Sequence, residues 1–321
     1  MGQPAKTEIK YSSSGVPFQV CEPPMPRIPD DWLDCSIYLY ASEPDALAGI
    51  RSGGSGFLLG FDSDRIPGLQ HVYAVTNAHV IESGSYTIRL NRKDGKVDVR
   101  DSDERNWIIP ESNDDIAVCL MSALDQEIHQ YKCVPKKMIA TKEVVSEFAI
   151  GPGDDTFTIG RFVNSDGVQR NLPTVRFGNL AQMPGEPLKQ DRQISGVNRP
   201  FEQESYLIEA KSISGFSGSP VFVTWSITST RPEGKKYDGT HLLGVSWGYV
   251  MDWERVHDNS GRLLELGTKV RVNTGMMGVV PAWKLYDLLM RPDMVAKRTA
   301  DEDLFLSSTK PSTTGLSVLS P

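Results

Sequence analysis

Histidine, cysteine and aromatic residues are scarce in this chain, and so are long apolar runs; each shortage excludes something. Among 321 residues there are 5 histidines and 4 cysteines, and aromatics make up 8%. Cys21, Cys35, Cys119 and Cys133 form no CxxC pair and show no metal-ligand spacing with histidine, so no zinc site is implied and no metal or other cofactor is expected. Cys119 lies in the apolar run 116–121 and reads as a buried, reduced thiol. No stretch approaches the roughly 18 consecutive apolar residues of a membrane span, and the opening MGQPAKTEIKYSSSGVPF has no signal-peptide core. The expectation is a cytoplasmic protein with no membrane partner. Gly2 does not open a myristoylation motif, because Lys6 occupies the position that needs Ser or Thr. Basic residues are outnumbered, 34 Lys+Arg against 41 Asp+Glu, and a net charge of −7 disfavours a nucleic-acid partner, which calls for a basic face against phosphates. A hydrophobic share of 39% with 23% charged residues describes a globular chain long enough for one large or two ordinary domains.

What the chain does contain is a series of short β-rich runs. After a Ser- and Pro-rich arm, residues 1–32, the runs fall at 36–41, 54–61, 72–76, 86–90, 96–99 and 115–121, with turn signals such as NRKDGK (91–96) between them. A second set follows at 156–163, 174–183, 205–210, 221–225, 242–250 and 269–272. Two groups of about six strands without βα alternation predict an all-β chain of two six-stranded antiparallel β-barrels, residues 33–145 and 146–291. Residues 282–289 follow Pro281 and space Trp283, Tyr286 and Leu289 as one face of a short C-terminal helix. Beyond Arg291 the Ser/Thr/Pro content predicts a disordered tail, 292–321.

Three local patterns bear chemistry, each with an ordinary alternative. In SISGFSGSPV (212–221), Ser217 stands between Gly215 and Gly218, which suits a nucleophile beside a backbone oxyanion site or an ordinary Gly/Ser turn. His79 in VYAVTNAHVI follows an apolar strand, as a catalytic imidazole at a barrel edge or a half-buried strand cap. Asp115 opens DIAVCLM after a polar loop, with Asp114 its neighbour; strand alternation lets only one of the two face a histidine. Together the three are more specific. A hydroxyl near neutral pH needs a base to attack, imidazole matches that pH, and a carboxylate fixes the imidazole's tautomer.

With TNAHV (76–80), DIAV (115–118), GFSGSPV (215–221) and LLGVSWG (242–248) in this order, the chain resembles the trypsin-like, chymotrypsin-fold serine proteases over residues 35–290. GSGF at 54, TIGRF (158–162) and VRFGNL (175–180) make it similar to the bacterial HtrA-like branch, here without a recognisable peptide-binding domain after the second barrel. The resemblance implies His79 as general base and acid, Asp115 as its orienting carboxylate, Ser217 as nucleophile, and the amides of Gly215 and Ser217 as the oxyanion hole. It also implies that Ser246, Trp247 and Gly248 bind a peptide or protein substrate as a β-strand, and that the Ser246 hydroxyl supports the carboxylate.

Two positions depart from the family. Phe216 stands where secreted trypsins carry an aspartate that pairs with a newly cut N-terminus, so activation by that ion pair is excluded. Lys211 falls at the floor of the family's primary pocket, either selecting an acidic side chain or facing solvent on a remodelled loop. The polar insert 184–204 has two readings as well, a cover over the cleft or a loop in solvent. The sequence thus predicts a serine endopeptidase acting through an acyl-enzyme. A protease fold kept as a binding or scaffolding module is the alternative. An α/β-hydrolase esterase fits less well, because GFSGS lacks the final glycine of GxSxG and the triad order differs.

Overall fold

The computed structural model describes residues 9–11, 17–19, 28–122, 124–194, 197–210, 214–224, 239–264 and 268–308. Strands β1 (Ile9–Tyr11) and β2 (Pro17–Gln19) pair with each other alone. A 3-10 turn, Asp30–Cys35, then brings the chain to β3 (Ser36–Tyr40), helix α1 (Glu43–Ala48), β4 (Ser52–Asp62) and β5 (Gln70–Thr76). Helix α2 (Ala78–Glu82) is followed by β6 (Thr87–Asn91), β7 (Val97–Arg100), β8 (Trp107–Ile108), β9 (Ala117–Met121) and β10 (Val134–Pro135). The path β7-β6-β3-β4-β5-β9-β8 is one curved sheet, and β10 joins β4 in parallel. The runs that form it are β-branched and aromatic, and buried: all five residues of β3 and six of the seven in β5 are inside.

The second half starts with helix α3 (Lys142–Glu147) and continues through β11 (Asp155–Gly160), β12 (Thr174–Gln182), the pair β13 (Leu188–Ile194) and β14 (Val197–Gln203), and β15 (Tyr206–Glu209). Then come β16 (Pro220–Thr224), β17 (Thr240–Arg255), β18 (Lys269–Pro281), α4 (Ala282–Leu289) and α5 (Pro292–Ser308). Strands β11-β12-β15-β18-β17-β16 close into an antiparallel barrel. The molecule therefore has the chymotrypsin-like double-barrel architecture. One half is a closed six-stranded barrel as expected, while the other, expected to be a second six-stranded barrel, is an open sheet along its hydrogen-bonded path. Among the described residues the barrel strands pair antiparallel, and the parallel contacts are limited to β10 with β4 and the Ile139–Leu242 bridge, unlike the parallel sheet that carries a hydrolase elbow.

One apolar cluster runs across both halves. It joins Phe57, Val75 and Ile116 of the first to Phe157, Phe222, Val245 and Trp247 of the second, with Leu285 and Leu288 of α4 and Met294 of α5. Burying each of the largest of these side chains contributes about 1.5–3 kcal/mol. Trp32, from the end of the expected arm, sits on the same cluster, edge-on to Phe222 at 5.2 Å.

The tail requires a correction, since residues 292–308 form α5 rather than a disordered segment; residues 309–321 lie outside the described residues. Its inward stripe is Met294, Arg298 and Glu302, all buried. Two of these three are charged, so no apolar period shows in the sequence. Their partners are tertiary: Glu302 meets His71 Nε2 at 3.2 Å, and Arg298 reaches the Tyr73 hydroxyl at 3.2 Å and lies 4.5 Å from the Phe61 ring centre.

Candidate active site

Strand β5 ends at Thr76 and the chain turns into α2, which carries His79 in its first turn. Asn77 precedes this helix, yet its side chain makes no capping bond. Asn77 Nδ2 instead donates to the carbonyl of Asp115 at 2.7 Å. The cap comes from across the sheet: Asp115 Oδ1 accepts the backbone N–H of His79 at 3.0 Å, and Oδ2 meets His79 Nδ1 at 2.8 Å. Asp115 is 1% exposed, and the His79 side chain is 17% exposed. A carboxylate only accepts, so Nδ1 donates here, and in the neutral tautomer this contact selects, the lone pair lies on Nε2.

Asp114 faces elsewhere, although the two acids lie not in a strand but in the bend that leads into β9. Its Oδ1 meets Lys284 Nζ and Gln203 Nε2, each at 2.9 Å, and Lys284 also reaches Glu204 at 3.0 Å. Burial works to lower the Lys284 pKa, but the two carboxylates outweigh it and hold the ammonium above its ordinary range. Gln203, 2% exposed, turns its Oε1 to the backbone N–H of Asp115 at 2.9 Å.

Ser217 sits between two glycines in left-handed backbone, Gly215 at φ +101° and Gly218 at φ +86°. A Cβ at Gly218 would lie 2.0 Å from the Ser55 carbonyl oxygen and 2.3 Å from Thr76 Oγ1, so only glycine allows this loop to press against the strand leading to His79. Ser55 N–H donates to the Ser217 carbonyl at 2.9 Å, joining β4 to the loop. The Ser217 hydroxyl donates to the Trp247 carbonyl at 3.4 Å. No hydrogen bond links it to the His79 ring among the described residues. Nor does any described acceptor take the N–H of Gly215 or Ser217, the two amides expected to form the oxyanion hole.

Phe216 is 1% exposed, with the Arg176 guanidinium 5.1 Å from its ring centre. The position that carries an activating aspartate in secreted trypsins is thus an apolar plug here. Ser246 and Trp247 are buried on β17 with Gly248 beside them, and β16 stops pairing at Val245. Ser246 exchanges backbone bonds with the Ser217 loop, its N–H going to Ser219 and its carbonyl accepting from Gly218. The expected role of its side chain needs correction: among the described residues the buried Ser246 Oγ has no hydrogen-bond partner, so it makes no bond to Asp115. The bond to the Asp115 amide comes from Gln203. Lys211 lies outside the described residues.

The polar insert is not simply in solvent. It forms the β13–β14 hairpin, whose base delivers Gln203 to the acid, and Phe201 packs edge-on against Trp247 at 5.2 Å. Trp247 Nε1 donates to Ser205 Oγ at 2.8 Å. Sequence reading missed Gln203, Phe201, Ser205, Asn77 and Ser55. For Asn77 and Ser55 the motifs TNAHV and GSGF were a usable signal; the insert residues carried none.

No protein-family model matches the chain, and no curated protein matches it. Among solved structures, it is similar to the MamO protease domain from Magnetospirillum magneticum in its apo form, at 13% identity over 79% of this chain and 95% of that one, TM-score 0.43. The active form of the Rv3671c protease from M. tuberculosis aligns at 14% identity over 80% of this chain and 79% of that one, TM-score 0.40. HBP aligns at 10% identity over 82% and 92%, TM-score 0.42. The double-barrel assignment rests on the strand pairings above.

Proposed function

We propose that the protein is a serine endopeptidase of the trypsin-like type, akin to the HtrA-like branch, with Ser217, His79 and Asp115 as its triad. The observation that carries the reading is the Asp115 carboxylate holding both the backbone N–H and Nδ1 of His79, at 3.0 and 2.8 Å, just past the end of β5, whose Thr76 abuts the Ser217 loop. His79 Nε2 takes the Ser217 proton as Oγ attacks the scissile carbonyl carbon; the C–O bond forms and the carbonyl oxygen gains negative charge beside the Gly215 and Ser217 amides. The intermediate collapses when His79 returns that proton to the leaving amine. Water then repeats the sequence on the acyl-enzyme, releasing the acid and restoring Ser217. The substrate, a peptide or protein, runs along Ser246–Gly248, past the last β16 pair at Val245; the Ser246 backbone is held by Ser219 and Gly218, so the strand bonds fall to the residues after it. The working location is the cytoplasm.

The Ser217 hydroxyl must rotate from the Trp247 carbonyl toward His79 to act; hydrogen bonds of this kind are often loose before substrate binds. The same bond favours a second reading, a protease fold retained as a binding module. A fluorophosphonate probe separates them. Labelling of the wild type that disappears in Ser217→Ala supports the enzyme; an unlabelled wild type, or labelling that persists in Ser217→Ala, refutes it.

A further inference from the structure

We propose that Ser55 is a positioning residue for the oxyanion site, its buried hydroxyl clamping the peptide plane between the Gly215 and Ser217 amides. The proposal rests on the reading of Ser217 as nucleophile. It supplies what Phe216 leaves open: how the loop is held in shape without an aspartate's ion pair.

Ser55 lies in β4 and is fully buried. Its Oγ accepts the N–H of Arg161 at 2.9 Å and donates to the carbonyl of Gly215 at 2.8 Å. The direction of both bonds is forced, because an amide can only donate and a carbonyl can only accept. The hydroxyl's one proton is therefore committed to Gly215. That carbonyl belongs to the peptide joining Gly215 to Phe216, which lies between the two amides of the proposed oxyanion hole. Gly215, at φ +101° and without a Cβ, is the point where this segment could turn over most easily. Turning that plane would carry its neighbours with it and break the bond to Ser55.

The backbone of the same residue makes two further ties. Ser55 N–H donates to the Ser217 carbonyl at 2.9 Å, and the Ser55 carbonyl accepts from Thr76 Oγ1 at 2.7 Å, at the end of the strand that leads to His79. Ser55 thus touches the loop on both sides of Phe216, the end of β11 and the approach to the base. A side chain whose only task was packing would not need its single donor aimed at a loop carbonyl. Being in the sheet rather than at the reacting atoms, it acts on the geometry of the hole and not on the substrate.

The test compares Ser55→Ala and Ser55→Cys with wild type in the full chain; the thiol keeps the side chain's reach but is a weak donor. Fluorophosphonate labelling of Ser217 and peptide hydrolysis are measured below each variant's melting temperature. Losing an oxyanion donor outright costs about 100- to 1000-fold, so mispositioning one should lower kcat and the labelling rate by about 10- to 100-fold in Ser55→Ala. KM should stay within about threefold, with Ser55→Cys between alanine and wild type. Should the alanine variant not fold, the cysteine variant alone decides, and wild-type rates there overturn the proposal. So does a loss confined to KM or to melting temperature, which is what a merely structural role would give. A wild type that the probe does not label is a different result, for it removes the nucleophile reading and the proposal with it.

Discussion

Replacing Asp115 by Asn changes one oxygen to an NH2 group, and the structure dictates which one. Asp115 Oδ1 faces the backbone N–H of His79, a donor that cannot change role; Oδ2 faces Nδ1 of the ring, whose role depends on the tautomer. The asparagine must therefore keep its oxygen on the backbone amide and present NH2 to Nδ1. The ring answers by releasing the Nδ1 proton and carrying it on Nε2, the nitrogen that accepts the Ser217 proton in the proposed mechanism. The fold is barely disturbed, since both bonds survive with the donor reversed in one. Loss of the correct tautomer costs about 10⁴ in kcat, equivalent to about 5.4 kcal/mol of transition-state stabilisation. The assay pairs peptide hydrolysis and fluorophosphonate labelling with nitrogen NMR of labelled histidine, which reads the tautomer independently of activity. A variant that keeps its activity within tenfold, or a ring that still carries its proton on Nδ1, refutes the reasoning.

Other outcomes follow from the same contacts. Gln203→Leu leaves the buried Asp115 amide and the Asp114 carboxylate short of a partner and should destabilise the fold by about 1–3 kcal/mol, measured by urea unfolding together with a slower labelling rate. Phe216→Ala empties a fully buried site in the Ser217 loop and should cost about 3–5 kcal/mol, again by urea unfolding; a loss under 1 kcal/mol would show that the ring is not a plug. Burial pushes the thiols of Cys119 to about 11 and of Cys133 to about 12, and raises Cys35 as well, so none should react with iodoacetamide at neutral pH until the chain is unfolded, as mapped by mass spectrometry. Burial also depresses the pKa of His241 below its ordinary 6.5. The unfolded chain then binds the extra proton first, so stability should fall as pH drops from 6.5 toward the folded value and level off below it, a slope that His241→Gln should flatten in pH-dependent melting curves.

The sequence was legible wherever one local rule sufficed. Most strand runs and the short helix 282–289 appear near where the apolar periods put them, because each period selects its own backbone, while β17 and β18 extend beyond the runs read for them and the β13–β14 hairpin went unread. TNAHV and DIAV marked His79 and Asp115, which meet at 2.8 Å, and the glycines of GFSGSPV are what the close approach of that loop to Ser55 requires. Where a stripe is polar, that reasoning fails. Helix α5 was unreadable because Arg298 and Glu302 are buried only by virtue of Tyr73, Phe61 and His71, more than 200 residues away.

By itself the sequence determined the β architecture of two halves and the three residues that could form a charge-coupled site. Tertiary structure decided the rest. It chose Asp115 over Asp114 by giving the latter to Lys284 and Gln203, and it gave the Asp115 amide to a hairpin that read as a polar insert. It left the Ser246 hydroxyl without a partner among the described residues and aimed the Ser55 hydroxyl at the Ser217 loop. The reason is physical: periodicity fixes which face of an element is buried, but the partner of a buried polar group depends on which distant strand arrives beside it.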